Sequence, residues 1–211
     1  ATANIQLCTA HWYGGNREQS CENTVKSVKK LLGGIQIDGY YELNMSEIPK
    51  LNNMVDGVTV TLEDDFSKKY PKMKKGATIN LDDEQAYAYV HDRYGVGNEE
   101  NTSRMKRQQQ YMTGFFKKLQ EKVKANLNYA NEVFESLQDV STTDITIGKI
   151  SNISNIFASG TDKGIFELAG KSKIGQALGD EIDHMEFYVN KKAMVSTMSE
   201  LFGIVEQKNK E

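Results

Sequence analysis

The stretch that decides the fold runs from Ile79 to Met112 and reads INLDDEQAYAYVHDRYGVGNEENTSRMKRQQQYM. Its first half predicts a helix, because Asp82, Asp83 and Glu84 precede an apolar run, and acidic residues at a helix start complement the macrodipole. A longer helix is predicted from about Ser103 to Lys124. The stretch therefore predicts two helices joined by a short acidic loop.

Arginine is concentrated in this stretch. The chain has 26 basic residues, of which only four are arginines, and Arg93, Arg104 and Arg107 all lie here. On a helical wheel at about 100° per residue, Arg104, Arg107 and two neighbours, Gln108 and Tyr111, share one arc. The stripe displaced by about 80° from that arc is predicted to face the core, and it comprises Met112, Phe115, Phe116, Leu119 and Val123. Lys106, Gln110 and Lys117 are predicted to face solvent. The arginines are therefore expected at the rim of the buried face.

The chemistry of this rim favours an anion. Arg104 and Arg107 lie near a helix start, where a cation is unfavourable by about 0.3–1 kcal/mol. Free N–H groups and two guanidinium forks at that position suit a phosphate or pyrophosphate, which arginine grips through two oxygens and lysine does not. The alternative is that the arginines form ion pairs with Glu99 and Glu100.

Outside this stretch, helical and strand patterns alternate along the chain. Helices are predicted within 20–34 (with Ser20 or Asn23 as N-cap), 45–57, 129–137, 149–158 and 191–203, and strands over 58–62, 165–170 and 184–190. No repeat or long linker interrupts them, so the sequence predicts a single α/β domain over 1–211, with helices covering a mixed β-sheet. The segment from Val140 to Gly148 is the softest candidate boundary.

Composition excludes several classes of function. The net charge of −3 gives no overall attraction to nucleic acid, so no nucleic-acid partner is predicted. No segment approaches the roughly 20 apolar residues of a membrane span, and no signal peptide is recognised. Cys8 and Cys21 are either two reduced thiols or the ends of a small disulfide loop. His11, His91 and His184 are scattered, so no zinc site is predicted.

The decisive stretch resembles the signature of the LytR-CpsA-Psr proteins of bacterial cell envelopes. The residues that carry the resemblance are Gly76, Ile79, Leu81, Gln85, Ala86, Tyr89 and Arg93, followed by Arg104, Arg107 and Gln108. The likeness is strongest over 11–127. It implies an α/β/α three-layer sandwich with a mixed β-sheet and a pocket for a polyprenyl chain.

The resemblance also implies an activity. Proteins of this kind transfer polyprenyl-pyrophosphate-linked anionic glycopolymers, of teichoic acid or capsule type, to peptidoglycan by forming a phosphodiester. The implied partners are the polyprenyl-pyrophosphate lipid, the anionic glycopolymer and peptidoglycan, with Mg²⁺ as the implied cofactor. The implied location is the extracellular face of the bacterial membrane or the cell wall. Membrane association is expected through an N-terminal anchor that the sequence lacks.

The resemblance assigns roles to residues. Catalysis is expected from Arg93, Arg104 and Arg107, and substrate binding from His91, Asn98, Asn101 and Gln108. His91 stands where the family usually has arginine, and Asn98 and Asn101 stand where an aspartate is usual. The family's first portion, with its arginine–aspartate pairs, is also absent, so the chain is expected to be N-terminally incomplete.

These departures leave two alternatives to an enzyme. The first is a non-catalytic relative that binds polyprenyl phosphate with a degenerate active site. The second is a regulatory or scaffolding protein whose arginines bind a partner's carboxylates. The label "transcriptional attenuator" has been attached to the family, yet the sequence contains no DNA-reading element.

Overall fold

The computed structural model describes residues 6–178 and 180–203. The helices are α1 (Arg17–Leu31), α2 (Ile48–Met54), α3 (Asp83–His91), α4 (Asn101–Ala125), α5 (Tyr129–Ser136), α6 (Ile147–Ser159) and α7 (Lys191–Phe202). The strands are β1 (Tyr41–Leu43), β2 (Thr59–Thr61), β3 (Thr78–Asn80), β4 (Ser141–Thr143), β5 (Gly170–Gly175) and β6 (His184–Val189). Short 3₁₀ turns cover Leu7–Tyr13, Met45–Glu47 and Gln138–Val140. The α/β class is confirmed.

The strands of the described residues form three two-stranded sheets, β1 with β4, β2 with β3, and β5 with β6. The β2–β3 and β5–β6 pairs are antiparallel. We expected the strands to share one mixed sheet. Four of the six strands span only three residues, which leaves short ladders with few backbone hydrogen bonds.

One predicted strand is wrong. The segment 165–169 has no regular structure, and β5 begins only at Gly170, which lies opposite Val189 of β6. Apolar Ile165 and Phe166 suggested a strand, but both side chains are about half exposed. A strand is defined by its backbone hydrogen bonds to a neighbouring strand, and the polar segment that follows, β5, forms these bonds with β6.

The chain forms two compact units. Among the described residues, the first comprises 6–42, 142–144, 166–178 and 180–203, and the second comprises 43–141 and 145–165. The segment from Val140 to Gly148, predicted from sequence as the softest boundary, contains two of the points where the chain passes from one unit to the other.

The second unit has a continuous apolar core. Its buried members are Val55, Val58, Val60, Leu62, Phe66, Met73, Leu81, Ala86, Tyr89, Val90, Val96, Tyr111 and Phe115. The helix α3 begins with the reciprocal bonds of a capping box between Asp82 and Gln85. Gly114 lets α4 approach the start of β2, because a Cβ there would lie 2.6 Å from Cγ1 of Val58.

A buried amide organises this core. Asn52 is 1% exposed. Its Nδ2 donates to the Leu81 carbonyl at 2.9 Å, and its Oδ1 accepts from the Val58 N–H at 3.1 Å. The same oxygen accepts from the Tyr111 hydroxyl at 3.3 Å. One side chain thus joins α2, α4 and the segments that flank β2 and β3.

The apolar stripe predicted on α4 is only partly buried. Phe115 and Val123 belong to the interior, whereas Met112 and Phe116 are 40% and 44% exposed. The prediction for Met112 and Phe116 was wrong because the buried face of α4 runs through Arg107 and Tyr111 instead. Gln110, predicted to face solvent, donates to the Thr61 carbonyl at 3.1 Å. Phe116 also lies roughly edge-to-face against Phe157 of α6, with 6.5 Å between ring centroids.

The first unit contains α1 and the β5–β6 hairpin. α1 begins at Arg17, before either predicted cap, because Asn16 Oδ1 accepts the Gln19 N–H at 2.8 Å. Cys8 and Cys21 are free thiols, so the disulfide alternative is not formed. Within the described part of the chain, no helix combines the length and the hydropathy that a membrane crossing requires.

Candidate functional site

The first turns of α4 hold the end of α3 in place. Gln108 Nε2 donates to the Val90 carbonyl at 2.9 Å, and Arg107 Nε donates to the Tyr89 carbonyl at 3.0 Å. The second terminal nitrogen of Arg107 donates to the Asp92 carbonyl. Carbonyl groups at a helix end lack partners within the helix, so α4 supplies them. These bonds fix where the loop carrying Arg93 begins.

Arg107 is an internal clamp. Its side chain is 1% exposed, its first terminal nitrogen pairs with Asp64, and its guanidinium carbon lies 5.3 Å from the Phe66 ring centroid. The expected rim position was wrong for this residue, because Asp64 and two carbonyl groups allow its charge to be buried. A direct contact between Arg107 and substrate stays a prediction.

Gly97 makes room for this ion pair. Its φ is +55°, and a Cβ there would lie 2.3 Å from Asp64 Oδ1. The residue therefore needs both the positive φ and the missing side chain. The loop between α3 and α4 is thus shaped around the Asp64 carboxylate.

Arg93 and Arg104 are the partly exposed arginines of the loop and helix start. Arg93 lies 4.4 Å from the Tyr94 ring centroid and donates to the Tyr94 hydroxyl, and Arg104 donates to Asn101 Oδ1 at 2.7 Å. The Nε of each is screened from solvent and bonds to no acceptor among the described residues. An unsatisfied buried donor costs roughly 1–3 kcal/mol, and anion binding by these two arginines stays a prediction.

The remaining predicted site residues have local partners. His91 stacks on Tyr87 with centroids 4.8 Å apart, and its Nδ1 lies 3.2 Å from Asp92 Oδ1. Asn98 Oδ1 accepts from the Glu100 N–H at 3.1 Å and from Ser103 Oγ at 2.8 Å. Asn98 therefore orders the start of α4. A substrate contact by His91, Asn98, Asn101 or Gln108 stays a prediction.

The alternative pairing of arginines with nearby glutamates is not seen in the described residues. Glu99, at φ +60°, accepts the Gly95 N–H at 2.8 Å, and Glu100 accepts from Thr102 Oγ1 at 3.0 Å. Both carboxylates thus serve the loop itself. Neither glutamate therefore forms an ion pair with Arg104.

The arginine site, by which we mean Arg93, Arg104 and Arg107 with the α3–α4 loop, lacks a set of oxygen ligands that would bind magnesium without further partners. Magnesium prefers several oxygen ligands in octahedral order. Asp64 is committed to Arg107, and Asp92 Oδ2 lies 3.4 Å from Lys69 Nζ. In the described parts of this loop, no three carboxylate, histidine or cysteine donors converge. The residues present do not fit the ion by themselves, so magnesium stays a prediction of the family resemblance.

Asp64 is the residue that the sequence reasoning missed. It lies 43 residues before Arg107 in the chain, between a short strand and a turn. No local spacing links the two positions. A buried arginine calls for a carboxylate partner, but the burial of Arg107 was itself not visible in the sequence, so nothing there pointed to Asp64.

Comparisons with solved structures show a shared fold. EF0465, a transcriptional regulator from Enterococcus faecalis, matches with a TM-score of 0.70 and 22% identity, over 95% of this chain and 70% of that one. TagV of B. subtilis matches with a TM-score of 0.65 and 21% identity, over 92% and 73%. TagT bound to LIIa-WTA matches with a TM-score of 0.65 and 20% identity, over 92% and 69%. A comparison with curated proteins finds no match.

A family model covers nearly the whole sequence. The model described as the LytR_cpsA_psr family matches residues 2–202. The match includes both units and all of the arginine site, and it agrees with the resemblance seen in the residues from Gly76 to Gln108. The chain therefore belongs to the LytR-CpsA-Psr family.

Proposed function

We propose that this chain transfers polyprenyl-pyrophosphate-linked anionic glycopolymers, such as wall teichoic acid, to peptidoglycan. Membership in a family that acts on cell-envelope glycopolymers supports the class of reaction. The observation that carries the proposal is the pair Arg93 and Arg104. Arg93 lies in the α3–α4 loop and Arg104 in the first turn of α4, and both retain an Nε donor that no described residue satisfies.

The reaction is a displacement at phosphorus. A sugar hydroxyl of peptidoglycan attacks the phosphorus nearer the glycopolymer and forms the new phosphodiester bond. The bridging P–O bond of the pyrophosphate breaks, polyprenyl phosphate leaves, and the hydroxyl proton passes to solvent or to the leaving phosphate. Negative charge grows on the leaving group, and fixed cations stabilise it.

The arginines divide this work in the proposal. Arg93 and Arg104 bind the pyrophosphate oxygens, because their forks are partly exposed and incompletely bonded. Arg107 positions them, since its bonds to Asp64 and the Asp92 carbonyl hold the loop against α4. Gln108 assists by holding the Val90 carbonyl.

An apolar stripe suits the hydrocarbon of the lipid. Met105, Met112 and Phe116 lie on one face of α4 and are 50%, 40% and 44% exposed. The stripe begins beside Arg104 and extends about 16 Å at 1.5 Å per residue. Exposed apolar surface of this kind marks a binding face. A pyrophosphate at the arginines would leave its polyprenyl chain free to lie along it.

The test is transfer by the purified chain. A synthetic lipid-linked teichoic acid precursor is incubated with peptidoglycan fragments, and the phosphodiester-linked product is quantified by mass spectrometry. Arg93→Gln and Arg104→Gln should each lower the rate by about 10²–10³, the effect of removing one charge-stabilising donor. Lys106→Gln and Lys117→Gln remove exposed charges from the same helix and should stay within about twofold of the parent. Equal rates in the arginine and lysine variants would refute the assignment.

A second candidate is a lipid-binding relative without chemistry. The observation that favours it is that Asp64 and Asp92 both pair with cationic side chains, so neither of these two carboxylates is available to activate a hydroxyl. In the same assay this candidate predicts retained lipid and no product. Product formed by the parent chain would exclude it.

A further inference from the structure

A second cluster of reactive side chains lies in the first unit, outside the arginine site. His11 Nε2 is 3.5 Å from Glu42 Oε1, and Cys21 Sγ is 3.2 Å from Glu42 Oε2. The imidazole, thiol and carboxylate ligand atoms all lie within 4.8 Å of one another. Cys21 is buried, while His11 and Glu42 are partly exposed. The sequence spacing of 10 and 21 residues gave no hint of this grouping.

The local fold brings these residues together. The 3₁₀ turn Leu7–Tyr13 runs into Gly14, where a Cβ would lie 2.6 Å from the Ser20 Cα. The missing side chain lets the turn pass against α1 next to Cys21. β1 then carries Glu42 to the same point. Three separate segments thus supply one ligand each.

The spacing of the donors matches a tetrahedral metal site. Zinc binds sulfur at about 2.3 Å and nitrogen or oxygen at about 2.0–2.2 Å, so tetrahedral ligands lie roughly 3.3–3.6 Å apart. Two of the three donor separations, 3.5 Å and 3.2 Å, are close to that range, and the third is no more than 4.8 Å, so a bound ion would draw His11 and Cys21 together. A thiolate and a carboxylate also neutralise a dication, so the bound site would carry no net charge beside the neutral imidazole.

The histidine is the incomplete member of the cluster. His11 Nε2 is screened from solvent and forms no hydrogen bond with any residue that the structure describes. Arg17 competes for the carboxylate, since its Nε lies 3.4 Å from Glu42 Oε2, and its side chain is half exposed. The ion pairs of Glu42 leave His11 Nε2 without a hydrogen bond, whereas a metal ion would take this nitrogen as a ligand.

We propose that His11, Cys21 and Glu42 bind a first-row transition-metal dication of the zinc class, with a fourth position open to water. Binding releases the thiol proton of Cys21 to solvent and forms the sulfur–metal bond. The ion would link the 3₁₀ turn, α1 and β1 and so stabilise the first unit. This site is independent of the arginine site and of the transfer reaction.

The experiment uses the full chain, reduced and freed of metal with a chelator. Titration with Co²⁺ should give thiolate-to-cobalt charge-transfer absorption and the visible bands of a tetrahedral ion at one equivalent, and Zn²⁺ should displace it. Cys21→Ser should abolish the charge-transfer band. His11→Gln and Glu42→Gln should weaken affinity by at least about 100-fold, because they remove direct ligands, and outer-shell changes already cost 10–100-fold.

Two matched variants separate this site from adventitious binding. Cys8→Ser removes the other thiol, which is exposed and outside the cluster, and should leave the spectrum unchanged. Arg17→Gln should bind Co²⁺ as tightly as the parent or more tightly. Circular dichroism checks that each variant folds, and if Cys21→Ser does not, the Glu42→Gln affinity decides. Absence of the charge-transfer band in the parent, or its persistence in Cys21→Ser, would overturn the proposal.

Discussion

At the scale of single residues, the buried amide of Asn52 has a large predicted effect on stability. Asn52→Ala removes the acceptor for the Val58 N–H and the Tyr111 hydroxyl and the donor for the Leu81 carbonyl. Each buried group left unpaired costs about 1–3 kcal/mol, so we expect a loss of at least about 2 kcal/mol in the free energy of unfolding. Urea denaturation measures it.

The neighbouring amide is the control for that change. Asn53 is exposed, and its side chain makes a weak 3.5 Å contact with Asp83. Asn53→Ala should therefore alter the free energy of unfolding by less than about 0.5 kcal/mol. If the two variants were equally stable, the buried hydrogen-bond hub would have no energetic role.

The two thiols should differ sharply in reactivity. Burial, together with the hydrogen bond to Glu42, raises the pKa of the Cys21 thiol to about 11. At pH 8 very little of it is therefore the reactive thiolate, and the side chain is 4% exposed. Iodoacetamide at pH 8 should label Cys8 quickly and Cys21 only on unfolding, as mass spectrometry of peptides would show. Equal labelling of both in the folded, metal-free chain would contradict this burial.

Residue identity could be read from the sequence more easily than residue environment. The sequence showed that the arginines are concentrated near a helix start. In the structure, Arg93 precedes that helix, Arg104 lies in its first turn, and both are partly exposed. The burial of Arg107 was not visible, because it depends on Asp64 far away in sequence. The grouping of His11 with Cys21 and Glu42 was hidden for the same reason.

At the scale of elements, Arg107 stabilises the fold because its side chain links α4 to the end of α3 and to Asp64. Arg107→Gln leaves Asp64 without its cation and the Asp92 carbonyl without its donor. Breaking one partner of a buried pair costs about 3–5 kcal/mol, and we expect a loss near the lower end because Asp64 retains 14% exposure. Urea denaturation is again the measurement.

Arg104→Gln is the matched variant for this prediction. Arg104 lies one turn earlier on α4 and makes a single bond to Asn101. Its replacement removes an unsatisfied buried donor, so it should not lower the free energy of unfolding, while it lowers transfer. A similar loss of stability in both variants would mean that Arg107 does not clamp the loop.

The contact between α4 and the start of β2 yields a further test. Gly114→Ala places a methyl group 2.6 Å from Val58 Cγ1. Overpacking costs about 1–3 kcal/mol, and the gain in helix propensity returns about 1 kcal/mol. The net expectation is destabilisation by roughly 1 kcal/mol in thermal or urea unfolding. A more stable Gly114→Ala variant would show that this helix–strand contact has room to relax.

Helices were predicted better than strands for a physical reason. Caps and periodic apolar residues are local signals, and α3, α4 and α7 match their predicted positions closely. Three-residue strands carry little periodicity, and their pairing depends on segments elsewhere in the chain. β5 illustrates this, since its sequence is polar and its place is set by β6.

At the scale of the whole molecule, the two proposed sites lie in different units. The arginine site belongs to the second unit and the His11–Cys21–Glu42 cluster to the first. The sequence predicted a single domain with one candidate boundary, between Val140 and Gly148, and two of the crossings between the units lie in that segment. Because the sites share no residue, a variant in one should leave the readout of the other unchanged.

The most direct measurement of the central claim is native mass spectrometry of the purified chain with added polyprenyl pyrophosphate. We predict one retained lipid per chain, lost in the Arg93→Gln/Arg104→Gln double variant and kept in the Lys106→Gln/Lys117→Gln double variant, which removes the same charge from exposed positions. Absence of bound lipid in the parent, or equal binding by both double variants, would contradict the assignment of these arginines to a pyrophosphate site.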